Sequence, residues 1–138
     1  MRAPYLLDTC VLIWMATQSA DGLHALSLLD QSDHDGIPVY VSPFSAWELG
    51  MLTAKGRLAL RVPLRSWFSG LIARSGTKLA TLTPDVLIAA NDLPWKTHPD
   101  PADRIIVATA REYGLNILTR DRKILDYAAK GHVMALAC

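Results

Sequence analysis

Four acidic residues in this 138-residue chain stand where a carboxylate is energetically unfavourable. Asp8, Glu48, Asp103 and Asp121 each adjoin or interrupt an apolar stretch, and three lie where a strand or helix is predicted to begin or end. Two carboxylates at about 4 Å and an effective dielectric of about 20 repel by roughly 4 kcal/mol. A group of such acids needs protons or cations, and ligation by oxygen alone suits Mg²⁺ or Mn²⁺ rather than zinc. The pattern therefore predicts metal-dependent chemistry on a phosphodiester.

Each acid taken singly also has a structural explanation. Glu48 could be a boundary residue that reaches a nearby basic side chain, although its neighbours at helical spacing are mainly apolar. Asp103 could help to cap a helix that begins at Asp100, and Asp121 could cap the helix that follows it. Asp8 is hardest to explain in this way, because it directly follows a buried apolar strand. The sequence leaves open whether Asp100 does more than cap.

The apolar segments predict strands that alternate with helices. Strands are predicted at Tyr5–Leu7, Val39–Val41, Lys78–Leu82, Asn116–Thr119 and His132–Leu136. Helices are predicted at Val11–Met15, Leu23–Leu29, Pro43–Ala54, Trp67–Ala73, Pro84–Ala90, Ala102–Tyr113 and Asp121–Ala129. The alternation indicates one α/β domain over residues 1–138, a three-layer sandwich with a central parallel sheet of four to five strands and helices on both faces.

The predicted sheet would bring the acids to one edge. Ligands of such sheets bind outside the carboxyl ends of the strands. Asp8 and Asp121 lie at or just past strand ends, Glu48 lies in the helix after the second strand, and Asp103 lies in the first turn of the helix before the fourth. We therefore expect the four carboxylates to gather in one place.

Composition indicates a globular protein, since 51% of the residues are hydrophobic and 20% are charged. No apolar run reaches the roughly 18 residues that a membrane span needs, and the first residues do not form a secretory signal. The two cysteines have no metal-ligand spacing, and free thiols fit a reducing compartment. We expect a cytoplasmic protein without a membrane partner.

The net charge of +1 conceals an uneven distribution. No acid lies between Glu48 and Asp85, but that stretch contains Lys55, Arg57, Arg61, Arg65, Arg74 and Lys78. A block of one sign attracts partners of the opposite sign. The block is either a solvated basic face or a surface for nucleic acid or an acidic protein.

Short segments scattered over nearly the whole chain carry the four acids. They are Leu6–Thr9, Ser45–Leu49 followed by Lys55–Leu58, Asp100–Ala110, and Leu118–Asp121. In this order they resemble the PIN-domain family, and within it the VapC-like toxins of bacterial toxin–antitoxin pairs. The most specific part is the Asp-Pro-Ala-Asp-Arg helix start joined to Thr-Arg-Asp after the next strand.

The resemblance implies a PIN-like fold and an endoribonuclease that depends on Mg²⁺ or Mn²⁺. It implies that the four acids are the catalytic and metal-binding residues. Thr9 and Thr119 would be neighbouring hydroxyls that orient a ligand or a water. It also implies a homodimer and a cognate antitoxin that covers or enters the acidic groove.

An RNA substrate would need positive charge around the acids. Arg104 and Arg120 flank the acids and are expected to contact phosphates. Trp95, in a Pro-rich loop, is predicted either to stack on an unpaired base or to anchor its loop in the core. Trp47 and Trp67 lie in predicted helices and are expected to pack there.

Two other functions fit the same general fold. A receiver-like signalling domain also binds Mg²⁺ at strand ends, but it would show paired acids after the first strand, whereas Thr9 follows Asp8 here. A catalytically silent module could bind RNA or protein without cutting, but such a module has no reason to keep carboxylates that repel each other. The endoribonuclease is the preferred hypothesis.

Overall fold

The computed structural model describes residues 2–96, 98 and 100–138. In this part of the chain the strands are β1 (Tyr5–Leu7), β2 (Val39–Val41), β3 (Thr77–Leu79), β4 (Asn116–Thr119) and β5 (Met134–Ala137). The α-helices are α1 (Thr9–Thr17), α2 (Leu23–His34), α3 (Pro43–Ala54), α4 (Leu64–Ala73), α5 (Pro84–Asn91), α6 (Pro101–Tyr113) and α7 (Arg122–Ala129). A short 3₁₀ helix, Ala20–Gly22, precedes α2. Among these helices, none has the length and apolar character required to traverse a bilayer.

The five strands form one parallel sheet in the order β3-β2-β1-β4-β5. In the centre, Leu7 of β1 lies opposite Val41 of β2 and Leu118 of β4. The strand order reverses between β1 and β4, and doubly wound sheets bind ligands at this kind of reversal. Asp8 follows β1 and Asp121 follows β4. The order also argues against the receiver-like alternative, because that class of sheet has the order 2-1-3-4-5.

Helices cover both faces of the sheet, which confirms the predicted three-layer sandwich. The side chains of β1 alternate between the faces, as in any strand. Tyr5 and Leu7 pack in a core cluster with residues of α1 to α4, whereas Leu6 packs in a second cluster with residues of α5 to α7. Since β1 is buried on both faces, its three residues are all apolar.

Element boundaries differ from the predictions mainly where polar residues continue an element. α1 begins at Thr9 rather than Val11 because Asp8 caps it, and α2 continues to His34 through polar positions that are exposed except for the buried Ser32. α4 begins at Leu64, directly after a proline. β3 lies at an edge of the sheet and ends at Leu79, where its pairing with β2 ends.

Candidate active site

Asp8 lies between β1 and α1 and is only 8% exposed. Its backbone N–H donates to the carbonyl of Leu118 at 3.0 Å, which extends the pairing of β1 with β4. Its Oδ1 accepts from the N–H of Thr9 at 2.8 Å, and its Oδ2 accepts from Oγ1 of Thr119 at 2.6 Å. Burial raises the pKa of Asp8, the bonds from Thr119 and Thr9 lower it, and the charge of Asp121 raises it further.

The Thr119 hydroxyl connects two of the acids. It donates to Asp8, and it accepts from the backbone N–H of Asp121 at 2.9 Å. Oδ1 of Asp121 accepts from the N–H groups of Lys123 at 2.8 Å and Ile124 at 3.4 Å, so Asp121 caps α7. Capping therefore engages Oδ1 of Asp121, whereas Oδ2 accepts no hydrogen bond from the described residues.

Glu48 reaches the same region from α3. This helix begins directly after β2, because the side chain of Ser42 accepts from the N–H of Phe44 at 3.1 Å and a proline occupies the first turn. Oε1 of Glu48 accepts from Oγ1 of Thr9 at 2.6 Å. Since Thr9 gives its only hydroxyl proton to Glu48, the Ser45 hydroxyl, 2.9 Å away, donates to Thr9. Burial is the main cause that raises the pKa of Glu48, the Thr9 bond opposes it, and the nearby acids raise it further.

Asp103 lies in the first turn of α6, which Asp100 caps through Oδ1. The Asp103 side chain does not complete the cap. Its Oδ2 lies 2.7 Å from Nε2 of His98. Burial and repulsion by Asp100, Asp121 and Asp8 raise the pKa of Asp103 to about 6, although the hydrogen bond with His98 lowers it.

The four predicted acids therefore share one region of the molecule. The negative charges of the group raise the pKa values of Asp8, Glu48 and Asp103. In the part of the chain that the structure describes, none of the four pairs with a lysine or arginine. Among the same residues, no three His, Cys, Asp or Glu side chains already form a ligand group for a metal ion. The fold thus gathers the acids without a ready-made coordination shell.

The donor set fits a hard divalent cation. All four candidate ligands are carboxylates, which Mg²⁺ and Mn²⁺ prefer. Glu48, Asp103 and Asp121 each use one oxygen, and within residues 2–96, 98 and 100–138 their other oxygen accepts no hydrogen bond. Asp8 uses both oxygens, so a cation would have to share one of them with Thr9 or Thr119. A bound cation would also relieve the repulsion that raises these pKa values.

Arg104 does not contact the acids and instead holds the loop between α5 and α6. Its Nε donates to the carbonyl of Ala90 at 2.8 Å. One terminal nitrogen donates to the carbonyls of Trp95 at 2.5 Å and His98 at 3.0 Å, and the other donates to that of Asn91 at 3.3 Å. Because all three nitrogens are used in this way, the expected phosphate contact of Arg104 is corrected to a structural role.

Trp95 takes the second of its two predicted roles, whereas Trp47 lies in an environment opposite to the one expected. Trp95 is 8% exposed, and its ring packs between His98 at 4.2 Å and Tyr127 at 4.4 Å. It anchors its loop in the core and is not accessible to an unpaired base. Trp47, which was expected to pack, is 59% exposed and stacks on Phe44 at 5.3 Å.

Arg120 is exposed but already engaged. Its guanidinium lies 4.3 Å from the ring centroid of Trp14, contacts the carboxylate of Asp21 at 3.5 Å and donates to the carbonyl of Cys138 at 2.9 Å. A contact with phosphate would have to displace these partners, so the structure gives the predicted role of Arg120 no support.

Two residues of the site were missed in the sequence. His98 precedes Asp103 by five residues in a loop without periodicity, so no pattern indicated that the two side chains meet. Ser45 precedes Glu48 by three residues, which places both on one helix face and could have indicated its position.

The comparisons with known proteins agree with this fold. The family model for the PIN domain matches residues 5–130. Over 123 residues the chain is 32% identical to Ribonuclease VapC22 of Mycobacterium tuberculosis, covering 88% of this chain and 90% of that protein.

Two solved structures share the fold at lower identity. One is a toxin–antitoxin complex from Klebsiella pneumoniae, with 19% identity, coverage of 96% of this chain and 95% of that one, and a TM-score of 0.63. The other is VapBC2 from Rickettsia felis bound to a DNA fragment from its promoter, with 12% identity, coverage of 96% and 97%, and a TM-score of 0.67. Since the family model and the 32% identical relative both match most of its length, this chain belongs to the PIN-domain family.

Proposed function

We propose that this chain is a ribonuclease that hydrolyses RNA phosphodiester bonds with Mg²⁺ or Mn²⁺, and that it acts as the toxin of a toxin–antitoxin pair. The observation that carries the proposal is the group of four acids where the strand order reverses, without compensation by a lysine or arginine of the described residues. RNA as the substrate is supported by the identity to a relative named as a ribonuclease.

The cation would be held by Asp8, Glu48, Asp103 and Asp121. When bound, it would supply an activated water and neutralise the charge that grows on the phosphate oxygens. The chain's own contribution is to orient the carboxylates. Thr119 fixes Asp8 and Thr9 fixes Glu48, so these ligands are placed before a substrate arrives.

RNA cleavage by purified protein tests the proposal. We expect the wild-type chain to cut a mixed RNA pool with Mg²⁺ or Mn²⁺ and to stop when EDTA is added. Asp8→Asn and Asp103→Asn should abolish cleavage while the circular dichroism spectrum stays that of the folded protein. Asp126→Asn changes an exposed acid on α7 and should leave the rate unchanged. Cleavage that persists in EDTA or in Asp8→Asn would contradict the metal-dependent site.

The silent-module alternative predicts a different result in the same assay. Wild-type protein would then retain RNA on a filter in the presence of Mn²⁺ without cutting it.

The toxin role is tested by expression in bacteria. Expression of the wild-type chain should stop growth, and expression of the Asp103→Asn variant should not.

An exposed apolar groove supports a protein partner. The groove lies between α1, α2 and α4, has a volume of about 730 Å³, and is lined in part by Trp14, Leu23, Leu26 and Trp67. Leu23 is 65% exposed and Leu26 is 39% exposed, so neither belongs to the core. Grooves of this kind accept the apolar face of a partner segment. We assign this apolar groove to the antitoxin in addition to the acidic groove, and we expect a homodimer through another surface. Light scattering of the isolated chain tests the dimer, and a monomer would contradict it.

A further inference from the structure

We propose that His98 is a positioning residue, whose Nε2 holds the Asp103 carboxylate in the orientation that cation binding requires. The proposal rests on the proposed metal-dependent function. Its basis is the 2.7 Å contact between Nε2 of His98 and Oδ2 of Asp103, in which the histidine is only 6% exposed. No pattern in the sequence linked these two residues.

The contact divides the two oxygens of Asp103 between two tasks. When the carboxylate is ionised, the proton between the two groups belongs to Nε2, so His98 donates to Oδ2. Oδ1 accepts no hydrogen bond from residues 2–96, 98 or 100–138 and remains available to a cation. A donor fixed on one oxygen restricts rotation of the carboxylate, which is how partners of metal ligands usually set the direction of the ligand.

The structure holds the His98 ring and backbone in place from two directions. The ring packs on Trp95 at 4.2 Å, Trp95 packs on Tyr127 at 4.4 Å, and Tyr127 packs on His132 at 4.6 Å. The His98 carbonyl accepts from Arg104 at 3.0 Å. We call these four rings the aromatic stack. Because the stack joins the loop to α7, the His98 ring cannot turn away from Asp103 without disturbing the packing of the stack.

Other roles for His98 fit the contacts less well. A histidine that only fills the core would not need a carboxylate at 2.7 Å from its ring nitrogen. A direct contact with a phosphate would need more exposure than 6%. A third role, in which His98 merely occupies Asp103 in competition with a cation, predicts the opposite sign in the experiment below, because its removal would then strengthen cation binding.

The experiment measures Mn²⁺ binding to the metal-free protein by electron paramagnetic resonance. His98→Phe keeps a ring that packs on Trp95 but removes the donor, and we expect its Mn²⁺ affinity to fall by roughly 10–100-fold. His98→Gln offers an amide N–H from a similar position and should recover most of the affinity. His24→Ala removes an exposed histidine of α2, outside the site and the aromatic stack, and should bind as the wild type does. If His98→Phe does not fold, His98→Ala replaces it.

A double variant tests whether His98 acts through Asp103. In an Asp103→Asn background, His98→Phe should cause no further loss of Mn²⁺ affinity, because the group that it positions has already changed. The inference is overturned if His98→Phe binds Mn²⁺ as tightly as the wild type or more tightly, if His24→Ala loses as much, or if the losses of His98→Phe and Asp103→Asn add. A wild-type chain that neither binds Mn²⁺ nor cuts RNA would instead overturn the proposed function.

Discussion

At the scale of single residues, Thr9 contacts two of the four acids at once. Its backbone N–H donates to Asp8 and its hydroxyl donates to Glu48. The Ser45 hydroxyl donates to Thr9 in turn, so a buried chain of hydroxyls supports the carboxylate on α3. One side chain between two acids therefore contributes to how readily Glu48 ionises.

Thr9→Val should shift the acid limb of the pH profile for RNA cleavage to higher pH. The bond from Thr9 lowers the pKa of Glu48, so its loss raises that pKa. The carboxylate must be ionised to hold a cation, and in the variant this would happen only at higher pH. Thr9→Ser keeps the hydroxyl and should restore the wild-type limb. An unchanged limb in Thr9→Val would show that cleavage does not depend on ionised Glu48.

Asp103 should make the metal-free protein less stable as the pH rises. Its pKa is raised to about 6 in the folded protein, compared with about 3.9 in unfolded chains. The folded state therefore binds more protons between these values, and the free energy of unfolding falls as the pH rises through them. Urea unfolding in EDTA at about pH 4 and about pH 7 measures the fall. Asp103→Asn should show a smaller fall, and an equal fall would assign the effect to other groups.

At the scale of elements, the loop between α5 and α6 was the least predictable part of the site. A carboxylate beside an apolar run is visible in the sequence, which is why the positions of the acids could be predicted. Arg104 appeared suited to RNA because its chemistry suits phosphates, and the sequence left open whether Trp95 stacks on a base or anchors its loop. Their roles depend on the path of a loop without periodicity, whose carbonyls bind the guanidinium and whose tryptophan reaches Tyr127.

Arg104→Lys should lower the free energy of unfolding by about 2–4 kcal/mol, because one ammonium cannot replace a guanidinium that serves four backbone carbonyls. Urea unfolding measures the loss. Arg111→Lys is the matched control on the same helix, since Arg111 donates to one backbone carbonyl among the described residues, that of His132. A stable Arg104→Lys variant with weaker RNA binding would contradict the structural role and support a contact between Arg104 and the RNA phosphates.

The strands and helices themselves followed from local signals. Val39–Val41 is β-branched and aromatic, and the Ser42 cap with its proline starts α3 immediately afterwards. The edge strands β3 and β5 were displaced by one to three residues, because their ends are set by pairing with β2 and β4 rather than by their own residues. Such signals do not predict contacts between individual side chains, such as the contact between His98 and Asp103.

At the scale of the whole molecule, Mg²⁺ should raise the melting temperature. A ligand that binds only the folded state stabilises it by about 2.7 kcal/mol at a concentration of about 100 times its Kd. Asp8→Asn should show a smaller rise, because it lacks one of the proposed ligands. NaCl at the same ionic strength controls for screening of the repelling acids. A rise of equal size with NaCl would show that the cation acts without a specific site.

The hydrogen bond from Thr119 to Asp8 joins residues 111 positions apart. A nascent chain translated only as far as α5 contains Asp8 and Glu48 but has neither β4 nor the acids of the later helices. The ribosome must therefore synthesise most of this sequence before the site can assemble. For a protein that cuts RNA, this order of assembly leaves the site incomplete, and the message and the ribosome uncut by it, until the segment through Asp121 has been translated.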